Sequence, residues 1–347
     1  MNKIETISAP HPVAVDVASI QKELTSLWKE AAGSGETGMA PVTRARLLNL
    51  IVWSEGPPGD PALARTLNRV VAAHPARVIL LEIDSADRQE KLQAWISARC
   101  SVVPSGDRQV CCEQITIRAS GSSVRHLPGL SVALTASDLP VAFLAAGPPQ
   151  VEEASFHRLA EFADRLLIDS ASLRPEGLGR LAALASALKR TTLGDLNWRR
   201  LRPWQEMVAG FFDGPLCLPF LPAIDRIEAA GGAGAETSAR LLTGWAGSAL
   251  GGRRIEFDFT GSGRAQADQL VRIRLEARGD RRAAFVVEAE LQRGCFSSRV
   301  EMDGTCPLPR RLKPGPLERW QLICGQLERG GRDRLYEAAL AHAAALP

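Results

Sequence analysis

Five histidines, seven cysteines and a few glycine-rich turns are the residues whose types could carry chemistry in this chain. His11, His74, His126, His157 and His342 lie far apart, with no HxH, HExxH or His–Cys spacing to bring two ligands onto one metal ion. A site assembled over long range stays open. The plainer reading makes each a surface or capping residue, as at His74-Pro75, where a helix pattern stops before a strand. No CxxC occurs, so neither a zinc ribbon nor a thioredoxin-like site is signalled. The segments GSGR (261–264) and GGAGA (231–235) lack the following lysine and hydroxyl residue of a P-loop and read as turns. No GxGxxG follows a strand and no GxSxG elbow is present. Catalytic, cofactor-binding and metal-binding residues are therefore not expected.

Two segments hold the remaining candidates. In QVCCEQITIRAS (109–120), a strand would place Cys111, Glu113, Ile115 and Ile117 on one face and Cys112, Gln114, Thr116 and Arg118 on the other. Glu113 thus falls on the more apolar side. Either it sits wet at a strand end, the favoured reading, or it is a buried carboxylate with an ionic partner. Cys111 and Cys112 point apart on a strand, so two ordinary buried thiols are expected, with a redox pair as the alternative. The second segment is GDLNWRRLRPWQEMV (194–208). Asp195 or Asn197 can cap a helix there, and Pro203 begins another turn. Trp198 and Trp204 would be core anchors between two domains. Alternatively Asp195, Asn197, Trp198, Arg199, Arg200, Arg202 and Trp204 form a partner-binding patch of the composition that interfaces favour.

These residues need elements to hold them. Residues 16–32 carry apolar side chains at helical spacing. RARLLNLIVW and RVILLEID are apolar runs typical of strands buried on both faces, with a proline-started helix between them. Residues 86–98 look helical and 99–103 extended; LPVAFLAA and RLLIDS are further strands alternating with helices. The expected fold is α/β, a Rossmann-like mixed sheet over residues 1–197, then a linking helix at 198–213. An α+β domain over 214–347 follows, because VRIRLEAR, AAFVVEAELQ and CFSSRVEM alternate with period two and form an antiparallel meander. Arg272, Arg274, Arg278, Arg281 and Arg282 lie on or beside its wet face among glutamates, which reads as a solvated surface rather than an anion site.

Composition narrows the function classes. The chain has 347 residues, 45% apolar and 23% charged, with a formal charge of +3. A soluble globular protein of two domains fits this, and a dedicated nucleic-acid binder does not. No export signal or membrane-spanning stretch stands out, so a cytoplasmic location with reduced cysteines is expected.

Six phrases, in order over roughly residues 40–212, resemble the OpcA family of glucose-6-phosphate dehydrogenase assembly proteins. They are RARLLNLIVW, AHPARVILLEID, CCEQITIRA, SDLPVAFLAAGPP, DRLLIDSAS and GDLNWRRLRPWQE. The resemblance implies a two-domain α/β protein without a catalytic centre that binds glucose-6-phosphate dehydrogenase and promotes or stabilises its active oligomer. It implies no cofactor. In photosynthetic members the partnership is linked to redox control, for which no cysteine here can be matched. The chain also departs from the family at AFLAAG (142–147), where tryptophans are expected. The rival reading is a sugar-phosphate sensor or enzyme of Rossmann-like fold.

Overall fold

A computed structural model describes residues 4–8, 12, 15–33, 42–102, 109–263, 265–279, 281–302, 310–315 and 317–346. The chain divides into two compact units whose segments interleave. The first is Met1–Ile168 with Leu188–Gly194 and Arg319–Gly331. The second is Asp169–Ala187 with Asp195–Glu318 and Arg332–Pro347.

The first unit is built on a sheet of nine described strands. These are β1 (Ile4–Ser8), β2 (Val42–Arg44), β3 (Leu48–Ser54), β4 (Ala76–Asp84), β5 (Lys91–Val102), β6 (Gln109–Ser120), β7 (Val141–Ala145), β8 (Arg165–Ile168) and β9 (Thr192–Asp195). Their order is β1-β5-β6-β4-β3-β7-β8-β9, with β2 also on β6. β3, β4, β6, β7 and β8 run parallel, and β1 and β5 add antiparallel neighbours on one side. From β3 the chain winds first toward β4 and β6, then toward β7 and β8. The α/β, Rossmann-like class expected from the sequence is the class found.

Every residue of β3 is buried, as a strand covered on both faces requires. Trp53, Phe143 and Phe156 meet in the core at centroid separations of 4.9–6.5 Å. The helices of this unit are α1 (Val17–Gly33), α2 (Pro61–Ala73), α3 (Leu127–Leu134), α4 (Ala154–Phe162) and, from much later in the chain, α9 (Arg319–Leu327). α9 packs on α2, with the Arg69 guanidinium over the Trp320 ring. The expectation of a helix over 86–98 is corrected: β5 occupies that stretch. Ala94, Ile96, Ala98 and Cys100 alternate as its buried face, and all of β5 pairs antiparallel with β6. The period is two, not 3.6.

The second unit carries a mixed sheet ordered β11-β10-β12-β13-β14-β15. Its strands are β10 (Ile224–Gly231), β11 (Glu256–Gly261), β12 (Leu270–Arg278), β13 (Arg282–Glu290), β14 (Cys295–Met302) and β15 (Arg311–Leu312). β12, β13 and β14 form the expected antiparallel meander, and β10–β11 is a parallel pair. Ile273, Leu275 and Ala277 of β12 are buried between half-buried charged residues. Phe285 lies at the middle of an aromatic cluster with Phe211, Phe212 and Phe220. Helices α5 (Gly177–Ala187), α6 (Leu196–Arg200), α7 (Arg202–Ala209), α8 (Glu236–Ala249) and α10 (Arg334–Ala344) complete the unit. α8 and α10 cross so closely that a Cβ on Gly244 would overlap the Ala339 carbonyl. The single helix expected near 198–212 is two short ones, because Pro203 starts a new helix and Leu201 is shared between their caps.

Candidate functional site

Asp195 closes β9 and caps α6. Its Oδ1 accepts the amides of Asn197 at 2.9 Å and Ser170 at 3.0 Å. Asn197 is fully buried; its Nδ2 donates to Ser170 Oγ, and its Oδ1 accepts from Ser238 Oγ at 3.1 Å and Arg200 at 3.3 Å. Arg200 also grips Asp169 bidentately, at 2.9 and 3.1 Å. The Trp198 indole donates to Asp333 at 2.9 Å and packs on the Tyr336 ring. Asp333 in turn caps α10 by accepting the Tyr336 amide.

This puts Asp169 on the Arg200 guanidinium with Asp195 close by, and the electrostatics follow. Burial, with the charge of Asp169, pushes the Asp195 carboxyl up to about 6. Burial, with Asp195 and Asp333 nearby, raises the Tyr336 phenol well above its usual value. Each carboxylate is engaged in fixing a helix start or a side chain, so the arrangement acts as a polar lock.

The structure brings Asp195, Asn197, Trp198 and Arg200 together. Trp204 lies apart, edge-on to Phe296 at 4.8 Å. Both tryptophans are core, at 6% and 5% exposure, and both belong to the second unit. Arg202 is exposed, while Arg199 and Arg200 are half-buried. Asp169, Ser170, Ser238, Asp333 and Tyr336 were not anticipated. Asp169 directly after a buried strand and Asp333 three residues before Tyr336 were the signals available, the second being an N-cap spacing.

The other candidate segment departs from expectation. Glu113 is not wet: it is fully buried in mid-strand. Its Oε2 accepts Arg77 Nε at 2.7 Å, and its Oε1 accepts the Trp28 indole at 2.9 Å and an Arg44 guanidinium. Arg46 approaches to 3.8 Å. Its guanidinium is held below the usual range by burial, then by Arg44 and Arg77, against the pull of Glu113. Three cations around one carboxylate explain how the charge is tolerated inside. The expectation of reduced thiols is also corrected, because Cys111 is disulfide-bonded to Cys100. With β5 a strand, these two cysteines stand directly opposite each other across the β5–β6 ladder. Cys112 remains a buried thiol whose pKa burial raises.

One more constellation lies in the turn from β3 to α2, residues 54–61. The Asp60 carboxylate caps α2 by accepting the amides of Ala62 at 2.8 Å and Leu63 at 3.3 Å. Gly59, at φ +70°, donates its amide to Glu82 Oε1 at 2.7 Å. The other Glu82 oxygen accepts from Arg118 at 2.9 and 3.2 Å, and Arg118 lies over the Trp95 ring. A cavity of about 350 Å³ adjoins these groups, lined also by Arg99, Gln114 and Thr116. Asp60→Ala should lower stability by about 1 kcal/mol, read as a shift in the urea midpoint. An unchanged midpoint would mean that the cap contributes nothing.

Among the described residues, no group of three histidine, cysteine or acidic side chains is placed to hold a metal ion. His11 lies outside the described residues, and His74 pairs with Glu328 at 3.2 Å. Two of the meander arginines are matched within their own sheet. Arg274 bonds Glu276 and Glu301, and Arg278 bonds Asp225 and Glu256. No described helix is long and apolar enough to cross a membrane.

Comparison with known proteins adds the following. Residues 67–186 match the family model for a glucose-6-phosphate dehydrogenase subunit N-terminal domain, and residues 191–340 match that for its C-terminal domain. An OxPP cycle protein named OpcA from Synechocystis sp. is 28% identical over 78% of this chain and 63% of its own length. A protein of the same name from Nostoc punctiforme is 32% identical over 55% of this chain and 41% of its own length. The chain thus spans less than two thirds of either relative. Among solved structures, biliverdin reductase from Synechocystis sp. aligns over 86% of this chain and 97% of its own, with a TM-score of 0.45 and 10% identity.

Proposed function

The chain belongs to the OpcA family, and from that membership we propose that it is a non-catalytic regulator of glucose-6-phosphate dehydrogenase. It binds the dehydrogenase and promotes or stabilises the active oligomer, in the cytoplasm and in service of the oxidative pentose phosphate pathway. The observation that carries this reading is the match of both subunit-domain models, in order, along one chain. The polar lock around Asp195 supports it, since its carboxylates serve as caps and acceptors rather than facing a substrate.

A regulator of this kind needs only differential affinity. A preference of about 1.4 kcal/mol for the active form shifts its equilibrium tenfold. We assign the contact face to the 194–204 segment, where Arg202 is exposed and Arg199 and Arg200 are half-buried.

The test mixes the purified chain with the dehydrogenase of the same organism and follows NADPH formation together with complex size. A larger co-eluting species with a raised rate is expected. No complex and no rate change, under oxidising and reducing conditions alike, would overturn the reading. The double variant Arg199→Glu/Arg202→Glu should weaken binding about tenfold, or about 1.4 kcal/mol. Unchanged affinity would move the contact face elsewhere while leaving the regulator reading intact.

A further inference from the structure

In doubly wound folds, the turn from the first central strand into its helix holds the pyrophosphate of a dinucleotide, on backbone amides at the helix start. Here β3 is that strand, since the chain winds outward from it in both directions. The turn reads Ser54-Glu55-Gly56-Pro57-Pro58-Gly59. It keeps the second and third glycines of the G-x-G-x-x-G spacing and puts serine at the first.

The groups that would hold a phosphate are spent or missing. Pro57, Pro58 and Pro61 have no amide hydrogen to offer. The Gly59 amide is donated to Glu82, whose side chain is only 8% exposed. The Ala62 and Leu63 amides are donated to Asp60. Of the two cations lining the adjoining cavity, Arg118 is held by the second oxygen of Glu82, and Arg99 is bonded to Gln114 and Asn68. A pyrophosphate entering the turn would meet two carboxylates and find the Gly59, Ala62 and Leu63 amides already engaged. The residues present do not fit a bound dinucleotide.

We infer that Glu82 occupies the place of a ligand phosphate, so that the turn is a dinucleotide-type loop closed by the protein's own carboxylate. The glycine spacing survives because the turn still has to wrap an anion, now one delivered from β4. Closure replaces a removable ligand with a permanent one and makes the loop part of the frame. This deepens the non-catalytic reading above and rests on it only for its biological sense.

The test uses the full chain alone, without the dehydrogenase. The unaltered protein is titrated with NADP+, NADPH and NAD+ in turn, at up to millimolar concentration, by calorimetry and by melting temperature. No heat of binding and no shift are expected. Saturable binding of any of the three overturns the inference. Glu82→Ala should lower the melting temperature, and added acetate or inorganic phosphate should restore part of the loss in this variant and none in the unaltered protein. A variant that melts like the unaltered protein, or gains nothing from either anion, also overturns it. Should Glu82→Ala not fold, the dinucleotide titration of the unaltered protein decides the inference by itself. Failure to activate the dehydrogenase would count against the regulator reading only, because dinucleotide binding is measured here without that partner.

Discussion

Replacing Glu113 with alanine is expected to destabilise the first unit by about 3–5 kcal/mol, the usual cost of stranding a buried charge. The carboxylate has no exposed surface, and Arg77, which it holds at 2.7 Å, is itself only 8% exposed. Without Glu113, Arg77 keeps one carbonyl, that of Leu134 at 2.8 Å, and no counter-charge. Arg44 and Arg46 are further out and can turn toward water, so the damage centres on Arg77. The measurement is urea denaturation at neutral pH, where a loss below about 1 kcal/mol would show that water reaches the cluster. Pairing Glu113→Leu with Arg77→Met should recover much of the loss, because the stranded cation is the source of the cost.

Asp195 gives the second large effect, and it has a pH signature. Burial raises its folded pKa to about 6, above the 3.8 of a free aspartate side chain. Between those values the folded chain binds more protons than the unfolded chain, so stability falls as pH rises from about 4 to about 6. Above that window the penalty of the buried charge is complete, on the order of 3 kcal/mol. Asp195→Asn keeps Oδ1 for the amides of Ser170 and Asn197 and removes the charge. Its urea midpoint should therefore vary less between pH 4.5 and 7 than that of the unaltered protein, with its relative gain at pH 7. Asp195→Ala instead orphans two buried amides and should cost about 2–4 kcal/mol at either pH. An Asn variant with the original pH slope would locate the titration elsewhere.

What the sequence disclosed depended on how local the cause was. β3 is buried throughout and β4 is buried up to Asp84, both as largely apolar runs, and the β12–β14 meander alternates cleanly, so both could be read directly. β5 could not: Lys91, Gln93, Trp95, Ser97 and Arg99 intersperse its small buried residues, and only pairing with β6 decides between strand and helix. That error hid the disulfide, since Cys100 faces Cys111 only when both lie on strands. Glu113 was placed on the correct face, but its partners lie 85 residues away at Trp28 and 36 away at Arg77. The Asp195 lock was half visible. Asp195, Asn197, Trp198 and Arg200 lie within one segment, whereas Asp333 meets Trp198 across 135 residues. The Glu82 closure is not legible in the sequence because Ser54 stands at the first glycine position of the fingerprint and Glu82 lies one strand away, on β4.

The interleaving of the two units has a consequence on the ribosome. The first unit has most of its strands once Gly194 has emerged, yet α9, which packs on α2, belongs to Arg319–Gly331. Arg165 likewise donates to the carbonyls of Gln326 and Gly331, which arrive equally late. At ordinary elongation rates the intervening stretch takes on the order of ten seconds to translate. Throughout that interval the outer side of α2 has no cover, a surface on which a holdase chaperone would act. The packing of α9 on α2 therefore cannot form before the sheet of the second unit has been synthesised.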